Sequence, residues 1–134
     1  MQHCIGVGNG LDAIRLILMG LGIGEGDEVI VPANTFIATV LAITYVGATP
    51  VLVDADKETY NIDISQIEQK ITSRTKAIIG VHLYGNVVDF SQLYNLKEKY
   101  HIWLIEDAAQ AHGGFLGDKR VGALGDAAAF SFYP

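Results

Sequence analysis

Hydrophobic and polar positions along this chain alternate between short apolar runs and stretches with helical spacing. The runs "HCIGVG", "EVIVPA", "TPVLVD", "KAIIGVHL", "IWLIEDA" and "AAAFSF" are predicted strands, mostly apolar and bounded by turn-forming or polar residues. Between them, "LDAIRLILMGLG" places Leu11, Ile14, Leu18 and Leu21 on one helical stripe, and "TFIATVLAITYVG" predicts an apolar helix. "DISQIEQKI" and "DFSQLYNLKEKY" predict two further helices, opened by acidic caps near Asp63 and at Asp89. "GGFLGDKRVG" reads as a hairpin or loop excursion. Strands this continuously apolar, alternating with helices, describe an α/β fold: three α/β/α layers around a mainly parallel sheet covered on both faces. Ligands of such sheets sit outside the carboxyl ends of the strands, so candidate chemistry is sought there.

The uncharged segment from Val29 to Val53 is long enough to suggest a membrane span. Pro32, Asn34 and Thr35 would interrupt a spanning helix early, and Gly47 and Pro50 late, so it reads instead as strand, helix and strand, all buried. The start of the chain lacks the basic flank and apolar core of a signal peptide. Half of the 134 residues are hydrophobic, which predicts one folded domain. The formal charge of −6, with scattered Lys and Arg, argues against nucleic acid and anionic membranes as partners. A lone cysteine, Cys4, excludes an intramolecular disulfide, fits a reducing, cytoplasmic setting, and is expected to be a buried structural thiol.

Three strand ends carry candidate chemistry. "GVGNGLDA" brings the first predicted strand through glycines into a helix, whose free N–H groups and positive dipole end suit a phosphate. Gly8, Gly10 and Ala13 also fit the G-x-G-x-x-A dinucleotide fingerprint. That reading fails because the next strand ends in Pro32, Ala33 and Asn34, without the acidic residue that would hold a ribose. At the fifth predicted strand, "IWLI" ends in Glu106 and Asp107, followed by Gln110 and His112. Side chains alternate along a strand, so only one of the two carboxylates faces the site, and burying either demands a partner. The sixth ends in Ser131, whose surroundings are not the G-x-S-x-G elbow of a serine hydrolase. His3, His82, His101 and His112 are too dispersed for a zinc site.

Together and in order, "GNGLDA", "GDEVIVPANTFIAT", "VGATPVLVD", "TYNID", "TKAIIGVHLYG", "IEDAAQAHG" and "GDAAAFSFYP" resemble the DegT/StrS family of pyridoxal-phosphate-dependent sugar aminotransferases, over almost the whole chain. The resemblance implies the large domain of a type I aminotransferase, truncated: residues 1–134 would be part of the cofactor-binding domain, without its N-terminal segment, last strand and C-terminal domain. It implies that Gly10, with the amides of Leu11 and Asp12 and the hydroxyl of Ser131, holds the phosphate of pyridoxal 5′-phosphate. Phe36 would stack on the cofactor ring, Asp107 would face the ring nitrogen, and Gln110 would bond the ring hydroxyl. A carboxylate against that nitrogen keeps it protonated, which makes the ring an electron sink.

The Schiff-base lysine of the family would fall two places after Pro134, so this fragment alone is expected to be inactive. The missing strand would lie between the first and sixth, leaving their edges open to self-association. For the full-length protein the resemblance implies a homodimer that takes an amino group from an amino acid, with glutamate the expected donor, to a nucleotide-linked keto sugar. "GNGLDA" resembles members acting on 3-keto sugars, although Asn9 and Leu11 stand where many members have Ser and Thr. Two alternatives stay open: a deoxysugar dehydratase of the same fold, with histidine in place of the lysine, and a non-catalytic relic that associates with a partner.

Overall fold

The computed structural model describes residues 3–133. Five strands form one parallel sheet in the order β2-β1-β3-β4-β7, where β1 is Glu28–Pro32, β2 Thr49–Val53, β3 Thr75–Val81, β4 Trp103–Asp107 and β7 Ala127–Ala129. Two short strands, β5 (Phe115–Leu116) and β6 (Lys119–Arg120), pair antiparallel as the predicted hairpin. Helices α1 (Gly10–Gly20) and α2 (Ile37–Tyr45) cover one face and α3 (Phe90–Tyr100) the other.

Strand alternation divides the core into two. Val29, Val31, Ala77, Ile79, Ile105 and Ala129 pack under α1 and α2, whereas Ile30, Ile78 and Leu104 pack with Phe90 and Leu93 of α3. On α1 the predicted stripe is in place: Ile14 and Leu18 are buried, and Leu11 and Leu21 pack against them. Asp89 caps α3 by accepting the Ser91 amide at 3.1 Å.

Several expectations are corrected. Residues 3–8, predicted as the first strand, join no ladder; Ile5 is 81% exposed, and two apolar side chains between glycines bury too little to offset ordering. Cys4 lies in that segment and is an exposed thiol, not a buried one. The predicted helix from Asp63 is instead two 3₁₀ turns, Ile64–Gln66 and Glu68–Lys70, with Asp63 capping the first. Ile64 and Ile67 lie three apart, which suits the 3₁₀ repeat, and β-branching disfavours a longer α-helix. Of the buried segment Val29–Val53, only β1 is wholly buried; β2 is an edge strand with Leu52 half exposed, where Pro50 costs no ladder bond. The last strand stops at Ala129, so Ser131 lies beyond the ladder.

Candidate active site

Asn9 caps α1: its side chain accepts the Asp12 amide at 2.9 Å and donates to the Asp12 carboxylate at 2.9 Å. Helix geometry leaves the amides of the first two residues, Gly10 and Leu11, without intrahelical partners. The Asp12 amide is already taken by Asn9, so the donors facing outward are those of Gly10 and Leu11. Ser131 closes on this end of the helix. A Cβ built on Gly10 would lie 2.8 Å from Ser131 Cβ and 3.3 Å from its Oγ, so only glycine admits this approach. Gly10, Leu11, Asp12 and Ser131 are therefore brought together, although 121 sequence positions separate the first from the last (131 − 10).

At the carboxyl end of β4 the two acidic residues face opposite ways. Asp107 continues the row of Ile105 toward α2 and is 7% exposed. Its Oδ2 accepts from Thr39 Oγ1 at 2.8 Å, and its Oδ1 from the Ala109 amide at 3.2 Å. Burial pushes its carboxyl above the ordinary range, against the pull of those two donors. Phe36, whose carbonyl accepts the Thr39 amide one turn earlier, caps α2 and is 69% exposed, so its ring is open to a ligand and is not core.

Glu106 turns the other way and is fully buried. Its Oε1 accepts the amides of Leu124 and Gly125, each at 2.8 Å, and its Oε2 that of Gly122 at 2.7 Å and His82 Nε2 at 3.1 Å. His82 Nδ1 accepts the Val88 amide at 3.0 Å, so the ring proton sits on Nε2 and the contact with Glu106 is a hydrogen bond from a neutral imidazole. Burial raises the Glu106 carboxyl, but the His82 bond and the three amides outweigh it and hold it below the ordinary range. This clamp fixes the loop that leads into β7 and Ser131. Gly125 belongs to it by necessity, since a Cβ there would meet the Leu104 carbonyl oxygen at 2.6 Å.

Gln110 is exposed beyond β4 and accepts the Tyr84 amide through Oε1 at 2.7 Å. Because an amide N–H can bond only the oxygen, the Gln110 NH₂ is left as the outward group. Tyr84 holds φ 56, a left-handed conformation that aims its N–H at this partner. His112 stacks obliquely on Phe132, with centroids 4.7 Å apart, and touches no predicted site residue by hydrogen bond. Pro134, from which the position of the expected lysine is counted, lies outside the described residues. Sequence reasoning missed Thr39, Asn9 and the His82–Glu106 pair; a threonine just past "VPANT" and a histidine closing an apolar strand were the available signals.

Among the described residues no group of His, Cys, Asp and Glu could hold a metal ion, and no helix is long and apolar enough to cross a membrane. A parallel α/β sheet with a helix N-terminus, a hydroxyl and a buried carboxylate at its carboxyl edge belongs to the class that binds phosphorylated cofactors there. The fold is that of type I aminotransferases, and the chain belongs to the DegT/DnrJ/EryC1/StrS aminotransferase family, whose family model matches residues 1–134. It is 61% identical to the dTDP-3-amino-3,6-dideoxy-alpha-D-galactopyranose transaminase of Aneurinibacillus thermoaerophilus, over 98% of this chain and 36% of that protein. In structure it resembles DesV of S. venezuelae, solved in complex with a ketimine intermediate (TM-score 0.93, 49% identity, 97% of this chain, 35% of that one). It also resembles NtdA from Bacillus subtilis, solved with bound cofactor PMP (TM-score 0.79, 42% identity, 84% of this chain, 26% of that one). The chain spans about a third of the length of the curated relatives it matches.

Proposed function

We propose that the protein carrying this chain is a pyridoxal 5′-phosphate-dependent aminotransferase, acting as a cytoplasmic homodimer. It would move an amino group from an amino acid, glutamate first among candidates, to a nucleotide-linked keto-deoxysugar. The observation that carries this reading is the buried Asp107, oriented by Thr39 and the Ala109 amide at the carboxyl end of β4 and paired with no Lys or Arg among the described residues. Such a carboxylate suits a ligand that brings its own cationic N–H.

The other residues fit the same group. The close approach of Gly10 to Ser131 gathers donors at the α1 N-terminus, where the amides of Gly10 and Leu11 and the Ser131 hydroxyl would hold a phosphate. Asp12 supports that end through Asn9. Phe36 offers an exposed aromatic face, and Gln110 an NH₂ donor for the ring hydroxyl. When bound, the cofactor supplies an electron sink. Asp107 would hold the proton on the ring nitrogen, and Gln110 and Phe36 would fix the ring plane. The 3-amino-3,6-dideoxy sugar in the name of the Aneurinibacillus transaminase supports a dTDP-linked 3-keto-6-deoxy sugar as first acceptor to try.

The test follows the cofactor spectrum of the purified protein through three additions. Pyridoxal 5′-phosphate should give a saturable change, glutamate should convert it to the amine form, and the keto sugar should reverse that with an amino sugar detected by mass. Saturable binding without transfer to any keto sugar would overturn the aminotransferase reading, and absence of binding would overturn the cofactor assignment.

A further inference from the structure

We infer that Thr39, backed by Thr35, is the positioning residue that fixes the Asp107 carboxylate as the acceptor for the cofactor ring nitrogen; this rests on the cofactor reading above. Threonine inside a helix commonly bonds back to a carbonyl one turn earlier. Thr39 is 1% exposed, and its hydroxyl instead crosses to Asp107, 68 positions along the chain, at 2.8 Å.

The direction of the chain of bonds follows from proton counting. Asp107 as a carboxylate has no proton to give, so Thr39 donates, and a hydroxyl has only one hydrogen. At 2.9 Å from Thr35 Oγ1, the Thr39 oxygen must then be the acceptor. The order is Thr35 to Thr39 to Asp107, with both dipoles pointing at the carboxylate and each strengthening the other.

The consequence reaches beyond packing. With Ala109 on Oδ1 and Thr39 on Oδ2, rotation of the carboxylate is fixed and each oxygen keeps a lone pair for a further donor. Both donors favour the ionised form, which burial opposes. Helix α2 thus ties the two cofactor-facing groups together: Phe36 begins it, and Thr39 sits one turn on with its hydroxyl on Asp107.

The experiment measures binding of pyridoxamine 5′-phosphate, labelled with nitrogen-15 in its ring, to the purified protein. The dissociation constant and the ring-nitrogen chemical shift are read alongside the thermal midpoint. Thr39→Val keeps the shape and removes the donor; it should weaken binding about 10-fold and move the shift toward the unprotonated ring. Thr39→Ser should restore both. Thr35→Val, which leaves Thr39 in place, should shift both in the same direction with about a 2-fold loss of affinity, and keeps the inference testable if Thr39→Val does not fold. Unchanged affinity and shift in a folded Thr39→Val, or in Thr35→Val if that is the variant available, would overturn the inference and leave the cofactor reading standing. A change in thermal midpoint alone would reduce Thr39 to a structural tie and also overturn it. Failure of the unsubstituted protein to bind the probe would overturn the cofactor reading and this inference with it.

Discussion

Gly10 lacks a Cβ at a point where one would stand 2.8 Å from Ser131 Cβ, closer than such atoms approach in folded proteins. Its backbone is ordinary helix, so what glycine supplies is space and not an unusual φ. Gly10→Ala should therefore cost about 1–3 kcal/mol by overpacking, despite the better helix propensity of alanine, and should weaken phosphate-dependent cofactor binding. Chemical denaturation and cofactor titration of the protein would read the two effects. If the clash is the cause, Gly10→Ala combined with Ser131→Gly should recover more than half of the lost stability without recovering affinity, because the hydroxyl is gone. Additive losses in the double variant would contradict the assignment.

At the scale of elements, the His82–Glu106 clamp joins the ends of β3 and β4 to the loop that leads into β7. Four donors converge on one carboxylate, and their directions are fixed: three are backbone amides, and the Val88 amide locks the His82 tautomer. Glu106→Gln keeps the shape but would turn an NH₂ onto two donors, Gly122 N–H and His82 Nε2–H. It should lower stability by about 2–3 kcal/mol, measured by denaturant midpoint, whereas a value within about 0.5 kcal/mol of the parent would mean that the clamp relaxes freely. Much at this scale was legible in the sequence. The continuous apolar runs of β1, β3 and β4, the stripe on α1 and the Asp63 and Asp89 caps are local patterns, and local patterns suffice for them. The strand predicted at residues 3–8 was not decidable locally, since a strand exists only where another backbone pairs with it. Thr39 was hidden for a related reason: its meaning lies in a bond to Asp107 from the far half of the chain. Glu106 and Asp107 were separable by strand alternation, yet nothing local says that the first binds a loop and the second awaits a ligand.

Across the whole molecule, these adjacent carboxylates act on stability with opposite signs. Glu106 is held below the ordinary range, so its contribution is present above the unfolded-state value of about 4.3 and lost as pH falls through its folded-state value. Burial places Asp107 above the ordinary range; between about 3.9 and that raised value the native state binds the extra proton, and stability falls as pH rises. At neutral pH the Asp107 site is therefore a standing cost to the fold, of the kind kept where a ligand needs it. Asp107→Asn should raise the thermal midpoint of the cofactor-free protein at pH 7, and the gain should shrink toward pH 4. The same variant should lose at least about 100-fold in affinity for the cofactor, having removed the anionic partner of its ring nitrogen. Thermal scans across that pH range, run beside the cofactor titration, test both halves. A midpoint lowered at pH 7 would mean that the Thr39 and Ala109 donors around Asp107 hold it for the fold, and not against it.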